Sequence, residues 1–177
     1  MEENPHPIRC PLQMVNSATE VRTQISALLP RLRRFGRTLA HSQEDADDLV
    51  QMAIEKALVR TDQWTPGTRL DSWMFRIMQT TWIDELRSRQ RRGQTFVDEA
   101  EGEFVGVNSN DAQVNAMSVR KAVSRLGDDQ RAVVGLVLVE GLSYQEAAQV
   151  LDIPVGTLTS RLARAREALQ QMLGGTP

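Results

Sequence analysis

The stretch 143–172, SYQEAAQVLDIPVGTLTSRLARAREALQQM, constrains the fold more than any other part of this chain. Its spacing predicts two helices joined by a tight turn. Ser143 stands three residues ahead of Glu146, where a hydroxyl accepts the backbone N–H of residue 146 and the carboxylate reaches back to the N–H of residue 143. Leu151 ends that first helix. In the turn that follows, Asp152 tolerates the left-handed backbone a sharp bend needs, and Pro154 forbids one continuous helix through it. A second helix starts near Val155. On it Leu158, Leu162, Ala165, Leu169 and Met172 form an apolar stripe, whereas Thr157, Ser160, Arg161 and Arg164 lie on another face. One face packs and the other is free to touch a polyanion. This is the layout of a helix-turn-helix, whose second helix enters the DNA major groove.

Two helices this short cannot bury a core alone, so the remaining chain must support them. At 177 residues, 41% hydrophobic and 25% charged, it has the composition of a soluble globular protein of one domain or two small ones. Glycine and proline are few and apolar residues recur at steps of three and four, which predicts an all-α fold. The net charge of −2 does not announce a nucleic-acid partner. Its distribution says more: Asp98, Glu99, Glu101 and Glu103 form a base-free segment between two parts that each carry an arginine cluster. Cys10 is the only cysteine, which rules out an intrachain disulfide or a thiolate metal site. His6 and His41 are too few and too far apart for a metal or a catalytic triad, so neither a cofactor nor an enzymatic activity is expected. The proline-broken, acidic start MEENPHPIRCPLQ lacks the pattern of a signal peptide, and the longest apolar run, 132–139, is too short to span a bilayer. A cytoplasmic protein without a membrane span is expected.

In chain order, residues 1–17 read as a flexible arm. From 18 to 40, Val21, Ile25, Leu28, Leu29, Leu32, Phe35 and Leu39 fit a helix, which Pro30 should kink or restart; Arg31, Arg33, Arg34 and Arg37 surround its second half. Ser42 followed by Asp45 marks the next helix start, with Ala46, Leu49, Val50, Ala53, Ile54, Ala57 and Leu58 as its stripe. Glu44, Asp45, Asp47 and Asp48 suit the positive end of that helix's dipole, yet exceed what capping needs, so a basic partner surface is a second reading. Trp64-Thr65-Pro66-Gly67 is a turn. The longest helical pattern, 70–92, ends in RSRQRR. Arg87, Arg89, Arg91 and Arg92 beside Trp73, Thr80, Thr81 and Trp82 fit a single-strand binder, in which aromatic faces stack bases and guanidinium groups hold phosphates. The competing reading is that both tryptophans belong to the core. Residues 93–110 break the period and read as a flexible acidic linker. A helix from Asp111 then ends at Gly127, and Asp128 or Asp129 caps another running through Val139 to a stop at Gly141. β-Branching alone would let VVGLVLV pass for a strand, but no second strand is available to pair with it.

Two helical domains result, 18–92 and 111–173. The order of DADDLVQMAIEKAL, WTPGTRLDSWMFRIMQTTWIDELRSRQRR and LGDDQRAVVGLVLVEGLSYQEAAQVLDIPVGTLTSRLARAREAL resembles a bacterial RNA polymerase sigma factor of the extracytoplasmic-function (ECF) group, over about residues 20–172. The resemblance implies a region 2-like bundle and a region 4-like helix-turn-helix, and transcription initiation for a stress or envelope response. It places Asp45, Asp47, Asp48 and Gln51 against the β′ clamp helices of core polymerase, with the β flap as a further contact. Along the melted −10 element it places Trp73, Arg76, Gln79, Thr80, Arg87, Arg89, Arg91 and Arg92. On the −35 element it places Thr157, Ser160, Arg161 and Arg164. Promoter DNA, duplex and melted, is the implied ligand, and an anti-sigma factor is a possible further partner. Two positions depart from the family pattern: Gln79 or Thr80 stands where many members have Asn, and Asp152 where related turns have Gly. The competing classes are a stand-alone helix-turn-helix regulator, which leaves the first domain idle, and a sigma-like decoy that binds an anti-sigma factor, which would tend to lose the arginines at 87–92 and 161–166.

Overall fold

The computed structural model describes residues 11–93 and 111–174. The first ten residues of the expected arm, and all of the expected linker but Gly93, lie outside the described residues. All regular structure among the described residues is helical: α1 (Pro11–Leu39), α2 (Gln43–Val59), a 3-10 turn (Thr61–Gln63), α3 (Leu70–Arg91), α4 (Asp111–Ser124), α5 (Asp128–Val134), a π turn (Gly135–Val139), α6 (Tyr144–Leu151) and α7 (Val155–Met172).

Helix α1 starts at Pro11, ahead of the position its apolar spacing suggests, and proline suits a first helical turn because its missing N–H would be unpaired there. It runs on through Pro30 without restarting. Pro30 is exposed, while Val21, Ile25, Leu32, Phe35 and Leu39, on both sides of it, are buried, so packing holds the two halves of α1 in one helix. The Ser42 hydroxyl caps α2 by accepting the Asp45 N–H at 3.0 Å. Its inner face, Ala46, Leu49, Val50, Ala53 and Ala57, packs on α1 and α3. Small residues let these helices approach closely: a Cβ on Gly36 would sit 3.2 Å from the Ala46 carbonyl oxygen and from the Val50 side chain.

Gly127, not Asp128 or Asp129, occupies the N-cap of α5. Its extended backbone leaves its N–H facing the Gln130 side-chain oxygen at 3.4 Å, and the two acids occupy the first turn instead of capping through a carboxylate. The run VVGLVLV is helical, and its second part widens into a π turn closed by the Glu140 N–H donating to the Gly135 carbonyl at 2.9 Å. The helix-turn-helix forms as its local signals dictate. Glu146 N–H donates to Ser143 Oγ at 3.2 Å and Ser143 N–H donates to Glu146 Oε2 at 2.8 Å. Asp152 takes the left-handed conformation at φ 54°, ψ 46°, and Pro154 is the N-cap residue of α7.

The buried side chains form one continuous cluster that runs from Val21 on α1 through Phe35, Phe75 and Met78 to Val133, Leu136, Leu158 and Leu162. The first three helices and the last four therefore share a core. At the seam, Phe35 meets Phe75 edge-on with centroids 5.0 Å apart, and a Cβ on Gly135 would lie 2.9 Å from the Phe35 ring. Only glycine lets the π turn settle onto α1 at this distance.

Charged groups close the same seam. The Glu140 carboxylate is fully buried and accepts from Arg31 Nε at 2.9 Å and Arg34 Nε at 3.1 Å. Arg31 also reaches Asp71 at 2.6 Å, Asp71 accepts from Arg69 at 2.7 Å, and Arg69 pairs with Glu146 at the start of α6. Nearby, the buried Arg131 guanidinium lies 2.9 and 3.0 Å from the two ring nitrogens of His41 and pairs with Asp128. A neutral imidazole accepts at only one nitrogen, so one of those two contacts is the hydrogen bond.

Burial would raise the Asp71 pKa, but hydrogen bonds from Arg69, Arg31 and its own Ser72 N–H outweigh it and hold the carboxyl at about 2. A depressed carboxyl stabilises the fold above its unfolded value, about 3.9, and that contribution disappears as pH falls through the folded one. Asp71→Asn should therefore cost about 2 kcal/mol at neutral pH, the scale of hydrogen bonds to charged groups. It should also flatten the loss of stability between about pH 4 and pH 2, as followed by urea unfolding across that range. A variant that kept the steep wild-type acid limb would contradict this role.

Candidate nucleic-acid interface

On α7, Leu158, Leu162 and Ala165 are buried, which turns Ser160, Arg164 and Arg166 outward and leaves Thr157 and Arg161 half-buried at the edge. The Ser160 hydroxyl donates to the Thr157 carbonyl at 2.9 Å. Arg161 is held by Asp129 of α5 at 2.8 Å. The four predicted residues thus lie between positions 157 and 164 of the second helix. Ser160 and Arg164 are ready to meet a ligand, whereas Arg161 would first have to exchange a carboxylate for a phosphate or a base edge.

On α2 the acidic first turn divides. Asp47, Asp48 and Gln51 are exposed, with Gln51 Nε2 donating to Glu55 at 3.1 Å. Asp45 points the other way and pairs with Arg89 at the far end of α3. That hydrogen bond, helped by the Ser42 hydroxyl, outweighs the opposing effect of burial and holds its carboxyl below the usual range. Asp45 therefore clamps α2 to α3.

Along α3 the predicted strand-binding residues separate by helical phase. Thr80, Arg87, Arg91 and Arg92 are exposed, and Arg76 is exposed with Asp152 of the turn 3.8 Å away. Trp73 is partly buried and packs on the core, while Trp82 is 2% exposed and belongs to it. Arg89 is occupied: it pairs with Asp45 and with Glu85 at 2.7 Å, and its guanidinium lies over the Trp82 ring at 5.9 Å. Those two carboxylates, Asp45 first, raise its pKa further. Gln79 is buried and its Oε1 has no hydrogen-bond partner, whereas the Thr80 hydroxyl donates back to the Arg76 and Ile77 carbonyls at 3.0 Å. The neighbouring Thr81 accepts from Lys56 at 3.1 Å and is likewise turned inward.

Sequence reasoning did not single out Glu140, Asp71, Arg69, His41 or Arg131 as partners across the seam. Glu140 carried a signal, a lone acid closing an otherwise apolar run, VVGLVLVEGL. Asp71 carried none, since an acid in a first helical turn is what dipole compensation predicts. No helix of the described residues is long and apolar enough to cross a membrane.

The family model described as the Sigma2 domain of PhyR matches residues 25–79, and Sigma-70, region 4 matches residues 116–169. The ECF RNA polymerase sigma factor EcfG of Rhodopseudomonas palustris is 34% identical over 157 residues, covering 86% of this chain and 84% of its own length. The solved sigma factor RpoE of Bartonella quintana, in complex with the anti-sigma factor NepR, superposes with a TM-score of 0.74 at 31% identity, covering 89% of this chain and 99% of that one. CnrH, solved with the cytosolic domain of CnrY, shares the fold at a TM-score of 0.67 and 23% identity, over 92% of this chain and 96% of that one. The helix-turn-helix with its outward basic face, the helical bundle ahead of it and relatives matched over most of their length lead to one assignment: the chain belongs to the ECF RNA polymerase sigma factors, the non-enzymatic subunits that direct transcription initiation.

Proposed function

We propose that residues 18–92 bind core polymerase through α2 and capture the melted −10 strand along α3, that residues 111–173 read the −35 element with α7, and that residues 93–110 tether the two. The observation that carries this reading is the phase of α7, whose buried Leu158, Leu162 and Ala165 present Ser160, near its start, and Arg164, at its middle, outward. In a helix-turn-helix the N-terminal part of the second helix meets base edges.

Asp47, Asp48 and Gln51 form the contact for the β′ clamp helices, and Asp45 supports it from behind through Arg89. On α3, Thr80 is better placed than Gln79 to meet a captured base, because Gln79 is buried. Arg87, Arg91 and Arg92 supply phosphate contacts, Arg92 in exchange for Glu85 at 3.4 Å. Arg89 acts through the fold. Net charge of −2 gives the free chain little general attraction for DNA, so promoter affinity depends on assembly with core polymerase. The Bartonella relative's complex with an anti-sigma factor supports a partner of that class for this chain also, with release by a stress or envelope signal as the corresponding control. The exposed arginines of α3 and α7 favour a promoter binder over a decoy, which needs no phosphate contacts.

Run-off transcription with core polymerase on a promoter library should yield specific initiation, and none would reject the reading. Tight, sequence-specific binding by the isolated chain at physiological salt would contradict its dependence on polymerase. Arg161→Ala with Arg164→Ala should reduce −35-dependent initiation at least about tenfold, since a good bidentate base contact is worth about 1–3 kcal/mol. Core binding should survive; equal loss of both would indicate damaged folding. Asp48→Asn should weaken assembly with core polymerase at unchanged melting temperature, whereas Asp45→Asn should lower the melting temperature by breaking its pair with Arg89. The reverse pattern in a thermal-melt and pull-down comparison would exchange the two roles.

A further inference from the structure

We infer that His41 makes the corner where α1, α2 and α5 meet sensitive to protons near neutral pH, because only its neutral ring can accept from the buried guanidinium of Arg131. His41 lies half-buried between the end of α1 and the Ser42 cap of α2. Arg131 reaches it from α5 with a side chain only 1% exposed. Two guanidinium nitrogens stand 2.9 and 3.0 Å from the two ring nitrogens, Asp128 pairs with one of them, and Nε has no hydrogen-bond partner. This arginine keeps its charge at any pH at which the protein is folded. A neutral imidazole offers it one acceptor. A protonated imidazole offers none, and sets a second cation at the same short distance in a site with little water.

The other charged groups around the ring do not reverse this. Asp45, in the first turn of α2, favours a proton on His41, but its carboxylate is already held by Arg89 and by the Ser42 hydroxyl. Arg89 brings a further cation to that side: its guanidinium lies over Trp82, whose ring centroid is 6.5 Å from that of His41. Asp128 favours the proton too, yet it is paired with Arg131 and its side chain is 48% exposed, where water screens it. Arg131, in direct contact, is the charge that decides. The unfolded chain therefore binds the proton more readily than the folded one. The contribution of this contact to stability is complete above about pH 6.5, where an unfolded histidine titrates, and is lost as pH falls below it.

The proton acts on more than one contact. Helix α5 packs on α7, and Asp129, beside Asp128, holds Arg161. Protonation of a ring at the start of α2 thus loosens the helix on which the Ser160 and Arg164 face is seated.

His6 is the only other histidine, so few groups of the full chain titrate between about pH 8 and pH 6. In urea unfolding, the folding constant of wild type should fall about fourfold more across that range than that of His41→Gln, whose amide oxygen accepts the same hydrogen bond without titrating. In proton NMR, the His41 ring, assigned through Ala40 and Ser42, should be less than half protonated at about pH 6, where an ordinary histidine is about three quarters protonated. Arg131→Met should move that titration back toward the ordinary value. Equal pH dependence of wild type and His41→Gln would overturn the inference. So would a wild-type ring that titrates as an ordinary histidine, or one whose titration Arg131→Met leaves in place. If either variant fails to fold, the wild-type ring decides: mostly neutral at about pH 6 upholds the inference, and mostly protonated rejects it.

Discussion

A carboxylate placed in an apolar interior is unfavourable by several kcal/mol unless charged donors meet it there. Glu140 sits at the end of the π turn, between Leu136 and Leu142 of the core cluster, and the donors that meet it come from α1, more than a hundred residues earlier. Much of the tertiary arrangement follows from that requirement. Arg31 is shared with Asp71, Asp71 with Arg69, and Arg69 with Glu146, so a chain of charges runs along the line where Phe35 seats on Gly135. Hydrophobic burial draws the two halves together without direction, and the charges select one register.

The same physics divides the residues expected to bind partners. Four acids crowd the start of α2 and four arginines the end of α3. Composition treats each set as one patch. In the folded chain, one member of each, Asp45 and Arg89, is used to hold α2 against α3, and the remainder face outward. On α7, Arg161 is tied to Asp129 while Arg164 is exposed. A dense charge cluster on an amphipathic helix thus supplies an internal brace and an external surface, and helical phase decides which residue serves which.

Elements specified by neighbours in sequence were legible in advance. The reciprocal Ser143 and Glu146 bonds, the left-handed Asp152, the Ser42 cap and the stripe of α7 form from contacts within a few residues, where spacing and backbone preference suffice. The path of α1 through Pro30 was less legible. The local cost of proline argues for a break, and only burial of Ile25, Leu32 and Phe35 on neighbouring helices overrides it. The start of α5 was misread because glycine caps through backbone freedom, a weaker signature than the two aspartates beside it.

Residue order alone is enough to make this chain helical, to give it a helix-turn-helix with a basic outer face, and to set its three blocks in the order of an ECF sigma factor. Each rests on periodicity, capping chemistry or motif, and all of these are short-range properties of the chain. Long-range packing is what buries Gln79 and Trp82 while leaving Thr80 exposed, makes braces of Asp45 and Arg89, and sets Glu140 between the halves. Those outcomes depend on which helix faces which across a shared core. A carboxylate or an amide looks the same in sequence whether its partner is water, its own helix or an arginine a hundred residues away.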